Sequence, residues 1–139
     1  YLGVYRDRRK VCGVQLYEAL GIGKADRKGS QEQALENFRM FGAPHVAIVT
    51  TDEALGVYGA LDCGLYAATF MYAAKSLGVD TIAQAALASY PEFLRKYFGL
   101  GAERKVVYGI SFGYADEDHP VHAYRTERAD INDAVTFLE

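Results

Sequence analysis

The chain has 139 residues, 50% of them apolar and 24% charged, with a formal net charge of −3. That is the size and composition of one ordinary globular domain. Two cysteines exclude a disulfide framework, and the small negative charge leaves no global attraction to nucleic acid or to an anionic membrane. Tyr5–Leu20 reads as a helix, because Cys12, Leu16 and Leu20 recur at helical spacing with Val11 and Tyr17 alongside. Arg6, Arg8, Arg9 and Lys10 crowd its start, where positive charge opposes the helix dipole and only Asp7 relieves it. This cluster reads either as a solvated end or as a contact for an anion or acidic partner. Gly21 and Gly23 break the helix. Asp26 then offers an N-cap for a second helix, Arg27–Phe41, whose stripe of Ala34, Leu35, Phe38 and Phe41 suits a core or a subunit interface. Gly42 and Pro44 end it.

His45–Thr51 is rich in β-branched residues and reads as a buried strand. Asp52–Gly59 is expected to be a loop. The longest apolar stretch follows, Ala60–Gly78, predicted as a helix. Asp62 stands in its first turn and Lys75 in its last, both favourable to the dipole, and Gly78 suits a left-handed cap. Its uncharged run is short for a bilayer, and Leu65, Tyr66, Phe70, Tyr72 and Leu77 point in nearly every direction. It is therefore expected to be packed all round inside a soluble protein. Cys12 and Cys63 both fall in predicted helices and read as small buried apolar side chains in a reducing, cytoplasmic compartment. No signal peptide or transmembrane run is expected. The chain opens on Tyr1, not Met, and enters a helical pattern within a few residues, which suggests a processed, cropped or incomplete chain.

Thr81–Ala83 reads as a short extended piece. Ser89-Tyr-Pro-Glu92 fits a capping box for a short helix with Phe93, Leu94, Tyr97 and Phe98 on its apolar face, closed by Gly99. Lys105–Tyr114 is the clearest strand. Val106, Tyr108, Ile110 and Phe112 form a bulky face, and Val107, Gly109, Ser111 and Gly113 form one that becomes bare. The bare face admits either a packed helix or a flat ligand. An acidic turn, Ala115–Pro120, leads to a basic segment and a last short element, Asn132–Glu139. His45 stands alone, so no metal site is expected. No phosphate loop, serine elbow, HExxH or CxxC pair is present. Three short strands among five helices indicate an α+β layered fold, a sheet covered by helices, with residues 1–139 as a single domain.

An ordered set of motifs narrows this further. The chain carries Asp62-x-Gly64, then Gly78, then Thr81-Ile-Ala-Gln84-Ala-Ala86, then Pro91-Glu-Phe-Leu-Arg95 and Gly99-Leu. Val106-Val-Tyr-Gly-Ile-Ser-Phe-Gly113 and Arg125-Thr-Glu-Arg128 follow, and Asn37-Phe-Arg-Met-Phe-Gly-Ala-Pro44 precedes them. Together these closely resemble the later part of the FMN-dependent nitroreductase family, in the branch with a PQAA-type loop and an arginine-rich tail. The resemblance implies a mostly antiparallel sheet, a homodimer, FMN as cofactor and NADH or NADPH as donor. Nitroaromatic or quinone-like small molecules would be the acceptors, reduced by hydride passing through the flavin N5. It implies that Ala83, Gln84, Ala85 and Ala86 hold the flavin edge, with the amides of Ala85 and Ala86 as donors, and that Arg125 and Arg128 hold the phosphate. Without the resemblance the two arginines read as surface charge paired with Glu127 and Asp130. The family's arginine-rich opening and its Ser/Asn-rich segment have no counterpart, so the chain reads as the later part of a longer protein. His122 stands where this branch usually has Asn, and Ala83 where it has Pro. A non-catalytic flavin-binding or dimerisation module is the alternative reading.

Overall fold

The computed structural model describes residues 1–138, which form two compact units. The smaller combines Tyr1–Ser30 with the residues from Asp116 onward, and the larger is Gln31–Ala115.

In the smaller unit α1 spans Gly3–Ala19 and packs against a tight turn at Pro120–Ala123. Arg8 reaches Asp133 at 3.8 Å, an exposed ion pair of little energetic weight. Cys12 is exposed, contrary to the expected burial, because among the described residues nothing buries the first three turns of α1. Asp26 caps as expected, its Oδ1 accepting from the Gly29 amide at 2.8 Å. The helix that it starts, α2 (Arg27–Leu35), is shorter than the apolar stripe predicts. Residues Glu36–Gly42 instead form a tight 3-10 turn in which Met40 and Phe41 are left-handed, at φ 55° and 52°. The last predicted element is reduced to a single turn, Ile131–Asp133, and Glu139 lies outside the described residues.

The larger unit is built on a three-stranded antiparallel sheet of order β1-β3-β2, with β1 at His45–Asp52, β2 at Asp80–Gln84 and β3 at Arg104–Gly113. The register of β1 on β3 shifts between Val49 and Thr50, and Arg104 braces that irregularity by donating to Thr50 O at 3.0 Å and to Thr50 Oγ1 at 2.7 Å. Alternation along β3 sorts the two faces as expected. Tyr108 and Phe112 meet α3 (Gly56–Ser76), through the Cys63 carbonyl and the Phe70 ring respectively. Ile110, between them on that face, is completely buried.

The bare face is filled by protein. A Cβ on Gly109 would collide with Leu87, and one on Gly113 would stand 2.7 Å from Pro44 Cδ. The packing alternative therefore holds at these glycines, with Pro44, just before β1, and Leu87, of the turn after β2, rather than a helix backbone occupying the space. That turn, Ala85–Ser89, leads to α4 (Pro91–Phe98), which Gly99 ends at φ 65° as the sequence suggests. The capping box does not form. Pro91 takes the first helical position, so Tyr90 becomes the N-cap and Ser89 lies one residue too early.

α3 departs most from expectation. It begins at Gly56, inside the predicted loop, and with its preceding turn, Glu53–Ser76, it is long and apolar enough to cross a membrane by length and composition alone. Only Gly59 and Cys63 are buried, and Leu65 and Tyr72 stand 69% and 78% exposed. The sheet reaches one side of the helix, and among the described residues nothing covers the other.

Tyr108 tests this packing. Its hydroxyl donates to the Cys63 carbonyl, and its pKa is raised above the ordinary 10.0, chiefly by burial, with Cys63 and Tyr66 adding and the Ala67 amide opposing. Folding thus favours the neutral phenol. Its contribution is complete below the unfolded value of about 10 and fades as pH rises through the higher folded value. Tyr108→Phe is expected to lower stability by about 1 kcal/mol at neutral pH and to flatten the loss of stability above pH ~10, read from urea midpoints across pH.

Candidate functional site

The short turn after β2 is where sequence and structure converge. Antiparallel pairing sets Gln84 against Gly109 and Ile82 against Ser111. Gln84 therefore points to the face that carries Ser111, and it is only 2% exposed. Its amide nitrogen donates to the Asn37 carbonyl at 2.8 Å, and its carbonyl oxygen accepts from the Ser111 hydroxyl. Three residues on, Leu87 sits over Gly109 and is buried as well. With Gln84 and Leu87 turned inward, Ala83 and Ala85 are exposed and Ala86 is half-exposed. Methyl groups are all that shields the main chain there, so a flat ring can approach it closely.

The Gln84 side chain is thus a structural tie, and the residue is buried between the exposed Ala83 and Ala85. The residues that hold it, Asn37 and Ser111, escape sequence reading as site residues. Ser111 is visible only as one position on a bare strand face. Asn37 lies 47 residues away from Gln84 and acts mainly through its main chain.

Arg125 and Arg128 belong to the smaller unit and are exposed. Arg125 donates to the His122 and Tyr124 carbonyls, the latter at 2.9 Å, and Arg128 donates to Thr126 Oγ1 at 2.6 Å. Among the described residues neither guanidinium reaches a carboxylate. The pairing with Glu127 or Asp130 that local sequence suggests is not made, and Asp130 instead caps the turn at Asn132 at 2.9 Å. Exposed guanidiniums without counter-charges are suited to binding an anion.

Two open clefts, of about 470 and 500 Å³, lie elsewhere, against α3. One flanks the start of β2 and the other runs along β1, and neither is lined by Ala83–Ala86. Among the described residues no cluster of His, Cys, Asp or Glu can hold a metal ion.

A small antiparallel sheet backed by one long apolar helix, with an alanine-rich turn at the end of an edge strand, defines an α+β scaffold offering main-chain donors rather than acid–base side chains. A model of the nitroreductase family matches residues 6–114, and the chain belongs to that family. It is 36% identical over 137 residues to nitroreductase NfnB of Mycolicibacterium smegmatis, covering 99% of this chain and 58% of that protein. It is 36% identical over 124 residues to a 4-nitrobenzoate reductase of Pseudomonas putida, covering 89% and 55%. The crystal structure of the FMN- and NADPH-dependent nitroreductase NfnB from sphigopyxis sp. strain HMH superposes with a TM-score of 0.96 at 27% identity, over all of this chain and 62% of that one. The chain spans less than two thirds of the length of each of these relatives.

Proposed function

We propose that the protein containing this chain, as part of one nitroreductase-like domain, is an FMN-dependent oxidoreductase. In this reading it takes electrons from NADPH or NADH and reduces nitroaromatic or quinone-like acceptors, working as a homodimer. The observation that carries this reading is the exposure of the small residues Ala83 and Ala85 on either side of the buried Gln84, with Leu87 also turned inward, in a chain of the nitroreductase family. The names of its relatives, which include FMN- and NADPH-dependent nitroreductases and 4-nitrobenzoate reductases, support the cofactor and the acceptor class.

The residues present fit the cofactor. Ala85 and Ala86 open a helical turn, where the first amides have no carbonyl of that turn to bond. Aimed at the N5/O4 edge of a flavin, such donors stabilise the negative charge that arrives with hydride. Ala83 and Ala85 keep the ring's approach clear. The family resemblance, and not a placement beside the alanine turn, assigns the phosphate to Arg125 and Arg128, residues of the smaller unit whose planar guanidiniums are chemically suited to bidentate contact. When bound, FMN supplies the two-electron chemistry, and the protein supplies orientation, electrostatics and a dry surface. This division of labour explains why the chain carries no acid–base constellation.

Visible absorption of the purified protein supplied with FMN, read before and after anaerobic NADPH, tests the reading. A bound-flavin spectrum that bleaches with NADPH and returns on adding 4-nitrobenzoate is expected. Failure to retain flavin would count against the enzyme and favour a non-catalytic module.

A further inference from the structure

We propose that Gln84, Ser111 and the main chain of Asn37 form a positioning clamp that sets where the Ala85 and Ala86 amides stand against a flavin. The proposal rests on the flavin reading above and adds to it residues that touch no cofactor.

The clamp joins three pieces of chain. Gln84 ends β2, Ser111 sits near the end of β3, and Asn37 belongs to the tight turn Glu36–Gly42. Gln84 is 2% exposed and Ser111 1%, the two polar side chains buried among the described residues. Burying a primary amide is costly unless its donors and acceptors are met, and an apolar residue would fill this space at no such cost. What the amide adds is direction. Its acceptor end is tied to the sheet through Ser111 and its donor end to the Asn37 carbonyl, which fixes both the height and the rotation of the chain leaving β2.

The turn that supplies the Asn37 carbonyl is itself unusual. Met40 and Phe41 hold left-handed conformations that side-chain-bearing residues seldom adopt. Phe38 of the same turn packs edge-on against Tyr90 at 5.6 Å, just past the other end of the Ala85–Ser89 turn. The alanine turn is therefore pinned at Gln84, at Leu87 over Gly109, and beside Tyr90. The two amides proposed to face the flavin lie between the first two pins. Donors to a developing charge are effective only when their position is set beforehand, and this arrangement sets it.

The test uses the full chain. FMN dissociation constants, the midpoint potential of the bound flavin and urea midpoints of the flavin-free protein are measured for the parent, Ser111→Ala, Ser111→Thr and Gln84→Ala. Ser111→Ala leaves the Gln84 carbonyl without its partner and is expected to weaken FMN binding about tenfold and to shift the flavin potential to more negative values. Gln84→Ala is expected to do the same or more. Ser111→Thr, which keeps the hydroxyl, is expected to restore both readouts. Lowered urea midpoints with unchanged FMN affinity and potential would overturn the clamp and leave Gln84 a purely structural residue. Should Gln84→Ala not fold, the Ser111 pair decides alone, since neither change adds or removes more than a small group. A parent that takes up no FMN overturns the flavin reading and the clamp with it, whereas a parent that binds FMN while its variants bind equally well overturns only the clamp.

Discussion

Changing Arg125 and Arg128 together to alanine is expected to weaken FMN binding by about 10²- to 10⁴-fold while leaving the urea midpoint of the flavin-free protein unchanged. The magnitude follows from two lost charge-assisted contacts to a phosphate, each of a kind that contributes about tenfold or more to binding. The lack of a folding effect follows from the structure. Both side chains are exposed, and they donate only to carbonyls and a hydroxyl of their own segment. No carboxylate loses its partner when they are removed. Arg125→Lys combined with Arg128→Lys should retain part of the affinity, because charge survives while the planar fork is lost. FMN titration by fluorescence separates the three cases. Unchanged affinity in the double alanine variant would remove the arginines from the phosphate assignment and return them to ordinary surface charge.

Leu87→Ala is expected to lower stability by about 2–5 kcal/mol, as truncation of a buried leucine does when its surroundings cannot close the gap. Gly109→Ala should cost about 1–3 kcal/mol for the opposite reason, since its new methyl group enters space that Leu87 already fills. Ile48 Cδ1 stands 3.3 Å from the same point, so Leu87 has little room to swing aside. Because one change empties the space that the other fills, the double variant should be more stable than the sum of the two losses implies, by about 1 kcal/mol. Urea unfolding of the four proteins measures this coupling. Simple additivity would mean that Leu87 does not rest on Gly109. FMN affinity should fall in Leu87→Ala as well, because the alanine turn loses one of its pins.

How much of this was legible beforehand can be judged from particular residues. The alternation in Lys105–Tyr114 correctly separated a bulky face from a bare one, because side chains on a strand must alternate whatever packs on them. It left open what fills the bare face, and the answer depends on Leu87 and Pro44, which reach Gly109 and Gly113 only after the chain has doubled back. Gly99 and Asp26 were readable because a left-handed cap and an Asx cap are local devices. Ser89 was misread for a local reason too, since Pro91 occupies the first helical position and moves the cap to Tyr90.

The misreading of α3 has a different origin. Its composition demands cover on every side, yet among the described residues only the side against the sheet is covered, and Cys63 is buried while Leu65 and Tyr72 are not. An apolar surface of this kind states a need for a neighbour without saying where in the sequence that neighbour lies. The same limit applies to Gln84. A glutamine beside three alanines reads as the polar member of a binding loop, and only the register of β2 on β3 turns it inward to Ser111 and Asn37.

By itself the sequence located the three strands and four of the five helices expected, though α2 ends six residues early at Leu35, and it determined the α+β class and the nitroreductase family, because periodicity, caps and ordered motifs are properties of neighbouring residues. The tertiary structure alone decided that Met40 and Phe41 turn left-handed, that α3 is bare on one side, and that Gln84 holds the alanine turn from within. Each of these depends on contacts between residues far apart in the chain, where a side chain's role is set by what the fold brings opposite it.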